Sequence, residues 1–196
     1  MDVKSRREEY TEATRRALLD AAADLFATSG YAATSIEDVV SRARVTRGAL
    51  YHHFRSKEDL FEAVYTELEE AAMVRIAAAA ETATDSWSAA LGGVDVFFDL
   101  CLEERYRRIV MIEGPLAFGP RRWRELNEHH SMRLVRATLA ALMDEGRIRR
   151  QDIEIPARIV FVVLSEAALG VAEADDRATA RRQAFYLVRG VLDSLR

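Results

Sequence analysis

One cysteine, three prolines and nine glycines are spread through 196 residues, and each scarcity excludes something. A lone thiol, Cys101, forms no internal disulfide and belongs to no set of ligand cysteines, so a reducing compartment such as the cytoplasm is expected. Few prolines and glycines leave long uninterrupted segments rich in alanine, leucine, arginine and glutamate, which favours helix. The longest bulky apolar run is Ile159 to Leu164, far short of the roughly 18 residues a membrane span requires. Met1 to Tyr10 is charged throughout and lacks the apolar stretch of a secretory signal. Nor is positive charge in surplus. The 28 basic and 32 acidic residues give a net charge of −4, which argues against coating nucleic acid by bulk charge and makes any DNA contact local.

What is present suits a globular protein: 49% of the residues are hydrophobic and 31% charged. At this length about 70% of the unfolded chain's surface can be buried, so the core needs no disulfide or metal staple. No strand alternation stands out. The first helical pattern runs from about Thr11 to Ser29, with Leu18, Ala22, Leu25 and Phe26 at the helical period and Gly30 as a left-handed stop. Thr34-Ser35-Ile36-Glu37 reads as a capping box, followed by a stripe of Ile36, Val39, Val40 and Ala43. Arg44-Val45-Thr46 breaks that helix, and Thr46 caps another short one through Leu50 to about His53. Ser56 caps a long helix in which Leu60, Phe61, Val64, Leu68 and Ala72 keep the period to about Ala80. Five more helices are expected, over Ser86–Glu104, Arg107–Glu113, Pro120–Glu145, Ile155–Ala174 and Asp176–Leu195, with Gly114-Pro115, Gly119-Pro120 and Gly146 as breaks. The expected class is therefore all-α.

Charge singles out the corner between the two short helices. Residues 1–60 hold ten basic and ten acidic side chains, yet Arg42, Arg44, Arg47, Arg55 and Lys57 fall between Val39 and Lys57 with no acid among them. A helix about two turns long, joined to its predecessor by a tight connection, is the geometry that enters a major groove. Thr46 and Arg47 open that helix, where base edges are met, and Gly48 permits close backbone approach. Tyr51, His52 and Lys57 supply donors for phosphate oxygens, whereas Val45, Leu50 and Phe54 build the apolar stripe. The alternative is a solvated basic face with a packed aromatic.

The segment from Ala17 to Leu60 resembles the DNA-binding domain of the TetR/AcrR family of bacterial transcriptional regulators. The match rests on Gly30-Tyr31, Thr34-Ser35-Ile36, the helix to Ala43, Val45-Thr46-Arg47-Gly48-Ala49-Leu50-Tyr51, and His53-Phe54 followed by Ser56-Lys57, in family order and spacing. One departure is Arg44, where the family's turn usually has glycine, so the corner either avoids a left-handed angle or holds it with strain. The resemblance implies an N-terminal three-helix domain with a helix-turn-helix, residues 1–56, and a larger helical ligand-binding and dimerisation domain, residues 57–196, connected by the long helix from Lys57. It implies an Ω-shaped homodimer on double-stranded DNA at a near-palindromic operator, with Thr34 or Ser35, Thr46, Arg47, Tyr51, His52 and Lys57 touching DNA. Arg47 and then Thr46 are expected to read bases; Tyr51, His52 and Lys57 position phosphates.

Beyond about Ala80 the resemblance is one of helical layout, with Glu113–Leu126 similar to one subgroup's C-terminal domain. It implies dimerisation through the last two helices, where Ile159, Val162, Val163, Leu169, Phe185, Val188, Leu192 and Leu195 give apolar faces and Ala167, Ala168 and Gly170 permit close approach. A monomeric core is the other use of such faces. Candidate apolar walls for an effector cavity are Phe97, Phe98, Met111, Phe118, Trp123, Leu134 and Phe161, with Cys101, His130, Arg133 and Glu166 as polar groups. Plain core packing is the competing use of each, and a bulky, largely apolar effector is expected. His129-His130 with Glu125 do not make a zinc site, and no phosphate loop or nucleophile elbow appears. Neither a cofactor, a metal nor an enzymatic activity is expected. The function expected is a DNA-binding regulator, a repressor released by a small molecule. The alternative is a helical small-molecule-binding or catalytic protein that keeps the helix-turn-helix as scaffold.

Overall fold

The computed structural model describes residues 6–129 and 131–196, and among them the chain forms helices and connecting turns with no strand. Contacts divide it into two compact units, one up to Glu67 and one from Leu68 onward.

In the first unit α1 spans Arg6–Ser29, α2 Ile36–Ala43, α3 Arg47–His53, and α4, which continues into the second unit, Lys57–Glu81. Each of α1, α2 and α3 packs on the other two, because each is apolar on one side only. Leu18, Ala22 and Phe26 of α1, Val39 of α2, Leu50 of α3 and Leu60 and Phe61 of α4 are fully buried. The Phe61 ring stands edge-on to Phe26, 5.0 Å between centroids, and 4.9 Å from Tyr31. The start of α4 is thus core of the first unit, and the contact boundary falls inside this helix, eleven residues beyond the Lys57 at which the sequence divides the chain.

Three details at the helix starts and stops differ from, or decide among, the sequence expectations. The α1 helix already runs from Arg6, with Glu8 and Glu9 in its first turn, where acidic groups suit the helix dipole. The capping box sits one residue later than Thr34 and Glu37. Ser35 is the N-cap, its Oγ accepts from the Asp38 N–H at 3.1 Å, and the Asp38 carboxylate accepts from the Ser35 N–H at 3.0 Å. Arg44 holds the left-handed conformation, φ 57° and ψ 39°, with its N–H donating to the Ser41 carbonyl and the Val45 N–H to that of Val40. A left-handed non-glycine residue costs roughly 1–2 kcal/mol, against roughly 0.5–1 kcal/mol for the extra freedom glycine loses. Arg44→Gly is therefore expected to stabilise the protein by about 0.5–1 kcal/mol, measured by urea unfolding; a loss of stability would show that the arginine side chain repays its backbone strain.

The second unit contains the remainder of α4, α5 (Ser86–Leu100), α6 (Glu104–Tyr106), a π-helical turn (Arg107–Glu113), α7 (Gly114–His129), α8 (Ser131–Asp144), α9 (Glu154–Glu173) and α10 (Arg177–Asp193). The α9 helix packs against α8 and α10, and α10 against α5. By length and composition alone α9 would suit a membrane span, but a helix packed on two neighbours carries the same composition in a bundle. Asp85 caps α5 and Asp176 caps α10, each accepting from the backbone N–H three residues on.

Two expectations are corrected here. The α5 helix stops at Leu100 instead of Glu104, since the Leu102 and Glu103 N–H groups turn back to Asp99 and Leu100. Residues 107–113 wind as a π-helix, closed by the Gly114 N–H donating to the Ile109 carbonyl five residues back. The helix expected from Pro120 follows the break expected at Gly119-Pro120, where Gly119 (φ 68°) interrupts the path from Gly114, and helix is described to His129 and again over Ser131–Asp144. Gly92-Gly93 stays helical inside α5. A Cβ on Gly93 would lie 3.2 Å from Ile76 Cγ2, so this glycine brings α4 and α5 close together.

Candidate nucleic-acid interface

The corner of α2 and α3 carries the predicted DNA-contacting residues. Val39 and Leu50 point into the core with no exposure, so the opposite sides of both helices face outward. Thr46 caps α3, its Oγ1 accepting from the Ala49 N–H at 3.2 Å, and it is exposed, which leaves its hydroxyl proton available. Arg47, Gly48, Tyr51 and His52 are all exposed on α3. The Arg47 guanidinium donates to the Glu37 carboxylate of α2 and, at 3.4 Å, to the Tyr51 hydroxyl, and it lies 5.5 Å from the Tyr51 ring centroid. A Cβ added at Gly48 would meet only Thr46 Oγ1, at an ordinary 3.9 Å. The fold itself does not require glycine there.

Thr34 and Lys57 are placed differently from the expectation. Thr34 is 2% exposed and donates its hydroxyl proton to the Gly30 carbonyl at 2.8 Å, while the half-buried Ser35 donates its own to the Asp38 carboxylate at 2.6 Å. The half-buried Lys57 ammonium lies 4.4 Å from the Tyr31 ring centroid and donates to the carbonyls of Tyr31 (2.9 Å) and Thr34 (3.0 Å). Lys57 therefore ties the α1–α2 turn to the start of α4, using two of its three N–H donors on these carbonyls. Of the other cations in the stripe, Arg42 pairs with Asp24 and Arg55 with Asp59. Hydrogen bonds from Arg55 hold the Asp59 carboxyl below the usual carboxylate range, and those from Ser35 do the same for Asp38. Burial, with the neighbouring His52 and Arg15 adding to it, pushes His53 below the usual imidazole range.

Glu37 is a residue of this corner that the sequence expectations leave out. Assigned to the capping box, it is used up; once Asp38 takes that role, Glu37 is left 62% exposed on the outward corner beside Arg47.

The effector candidates scatter. Phe98 and Cys101 are fully buried and Met111 nearly so, which makes them core. Burial, with the Glu69 charge adding to it, pushes the Cys101 thiol up to about 12, an inert thiol. Phe97, Trp123 and Phe161 are half-buried, the last two with rings 6.4 Å apart. Arg133 and Glu166 are exposed, so they are corrected from inward-facing groups to surface ones. His130 lies outside the described residues. A cleft of about 370 Å³ between the start of α9 and the end of α10 is lined by Ile155, Pro156, Ile159, Val191 and Leu195 among others, and by none of these candidates.

Burial also reveals a polar cluster that periodicity hides. Glu69 of α4 is 2% exposed and accepts from the Tyr106 hydroxyl at 2.7 Å and the Ser131 hydroxyl at 3.0 Å, linking α4, α6 and α8. The inward stripe of α4 in this unit is Glu69, Ala72 and Ile76, which takes in a charge. Arg107, 8% exposed, donates to Glu104 and, at 3.3 Å, to the Ala172 carbonyl near the end of α9.

Large apolar side chains are exposed on the last long helices: Ile155, Ile159 and Val162 at helical spacing on α9, Tyr186 and Leu187 on α10. Val188, Leu192 and Ala168, expected on the dimer face, are instead buried within the chain, because the inner sides of α9 and α10 are spent on each other and on α5 and α8.

Known proteins share this arrangement. Residues 18–64 match the family described as bacterial regulatory proteins, tetR family. Residues 87–195, more than half of the chain, match the tetracyclin repressor-like C-terminal domain. The Transposon Tn10 TetC protein of Escherichia coli is 27% identical over 202 residues, spanning 100% of this chain and 99% of its own length. The HTH-type transcriptional repressor KstR2 of Mycolicibacterium smegmatis is 32% identical over 99 residues, 50% of this chain and 48% of its own. A crystal structure of a TetR-family transcriptional regulator from Pectobacterium atrosepticum superposes with a TM-score of 0.82 at 29% identity, covering 98% of this chain and 97% of that one. With both parts of the chain matched and the helix-turn-helix in place, this protein belongs to the TetR family of DNA-binding transcriptional regulators.

Proposed function

We propose that the protein is a cytoplasmic repressor that binds a near-palindromic operator as a homodimer and releases it when a small, largely apolar molecule occupies the unit from Leu68 onward. The observation that carries the DNA-reading part is the outward face of α3, where Thr46, Arg47, Gly48, Tyr51 and His52 are all exposed on a helix whose other side is core. Arg47 is the base reader and Thr46 its neighbour. Tyr51, His52 and the remaining donor of Lys57 hold phosphates. The outward stripes of α9 and α10 are the dimer face, because two half-sites related by a two-fold axis call for a two-fold protein. Half-buried Phe97, Trp123 and Phe161 support an apolar effector. Release requires that this effector bind one arrangement of the two units more tightly than the other.

The test is selection of sites from a random duplex pool with the purified protein, followed by titration of the best site at several salt concentrations. An inverted repeat is expected, with log K falling against log salt by about 0.9 for each phosphate neutralised. No enrichment and a flat slope would reduce the corner to a solvated basic face. Gly48→Ala separates the roles of fold and DNA. Alanine in an exposed helical position is expected to raise stability by up to about 1 kcal/mol, yet operator affinity should fall as its methyl group occupies the space for the DNA backbone. Unchanged affinity would remove Gly48 from the interface.

A further inference from the structure

The exposed ion pair between Glu37 and Arg47 is unexplained by folding. Both side chains are about 60% exposed, where an ion pair contributes little to stability. A carboxylate on the face that meets phosphates also repels DNA, so its position calls for a use. Its partner is the guanidinium assigned to base reading, held from one side by Glu37 and from the other by the Tyr51 hydroxyl and ring. These contacts use one N–H on each terminal nitrogen and leave the other donors of the guanidinium fork free. The second Glu37 oxygen stays open as an acceptor next to them.

Donors with an acceptor at their side complement one base-pair edge. In the major groove guanine presents two acceptors, N7 and O6, and its paired cytosine presents the N4 donor next to them. Adenine and thymine offer a different order, and the thymine O4 acceptor would face the carboxylate. We propose that Arg47 and Glu37 read a single G·C pair in each half-site as one unit, Arg47 donating to guanine N7 and O6 and Glu37 accepting from the N4 amino group of the paired cytosine. The ion pair across the two helices orients the guanidinium before DNA arrives, so less side-chain freedom is lost on binding. Glu37 is then a specificity residue: it weakens attraction to any duplex and restores binding at the correct base pair. This inference rests on the DNA-reading proposal above.

The experiment measures binding of the full chain and its Glu37→Gln, Arg47→Ala and doubly substituted forms to the selected site and to versions with each half-site position changed. For the unsubstituted protein one G·C to A·T change should weaken binding roughly tenfold or more. In Glu37→Gln that factor should shrink, because an amide can turn its NH₂ toward thymine O4 and a carboxylate cannot, while binding to random duplex strengthens. With Arg47 already replaced by Ala, Glu37→Gln should leave the profile at that position unchanged, since the two act together. An equal change of affinity for every sequence, with the profile intact, would overturn the paired reading and leave Glu37 as a repelling charge. Selection of no site by the unsubstituted protein would overturn the DNA-reading proposal, and this one with it.

Discussion

Leu187→Asp is expected to convert a dimer into monomers in sedimentation and to weaken operator binding by roughly 10²–10⁴-fold, the factor lost when two linked binding events become one. Leu187 is 68% exposed in the single chain, so an aspartate there meets water in the monomer and costs folding little. In a dimer closed over α9 and α10 the same carboxylate is stripped of water without a partner, which is strongly unfavourable. Val162→Asp, at 61% exposure on α9, should act alike. Leu192→Asp would be a poor test, because Leu192 is 3% exposed within its own chain and a charge there would unfold the helix packing first. A Leu187→Asp protein that sediments as a dimer with full operator affinity would move the interface to another surface.

Glu69→Leu is expected to destabilise the second unit by about 1–3 kcal/mol, since the buried Tyr106 hydroxyl and the half-buried Ser131 hydroxyl both lose the carboxylate that joins them. Tyr106→Phe, which removes a donor and leaves the carboxylate with Ser131, should cost less, about 1–1.5 kcal/mol. Denaturant unfolding of both variants and of the double substitution tests this, because contacting residues are non-additive: the pair together should cost less than the sum. Additive losses would mean that Tyr106 and Glu69 stabilise the unit separately. The cluster matters beyond stability, as it fastens α4, the helix shared by the two units, to α6 and α8 of the second unit.

The helix-turn-helix was legible because its signals are local. Gly30 at φ 83°, the Thr46 cap and the eight-residue α2 each follow from side chains within a turn or two of where they act. Reading failed where two local answers were equally good. Thr34 and Ser35 are both competent caps, and so are Glu37 and Asp38 as their partners; burial of Thr34 decides the register and, with it, frees Glu37 to meet Arg47.

Helix propensity, capping chemistry and apolar spacing act over a few residues of chain, and they alone determined an all-helical protein, the short two-helix corner and the face of α3 that carries Arg47 and Tyr51. The left-handed Arg44 was an open choice until the packing of α2 against α3 demanded that corner at a residue with a Cβ. Only the tertiary structure decided that Glu69 lies inside, that Lys57 spends two donors on the carbonyls of Tyr31 and Thr34, and that Leu187 faces outward while Leu192 does not. Each of these depends on which neighbour covers a helix face, and those neighbours lie from some twenty to some ninety positions away in the chain, beyond the range of any local rule.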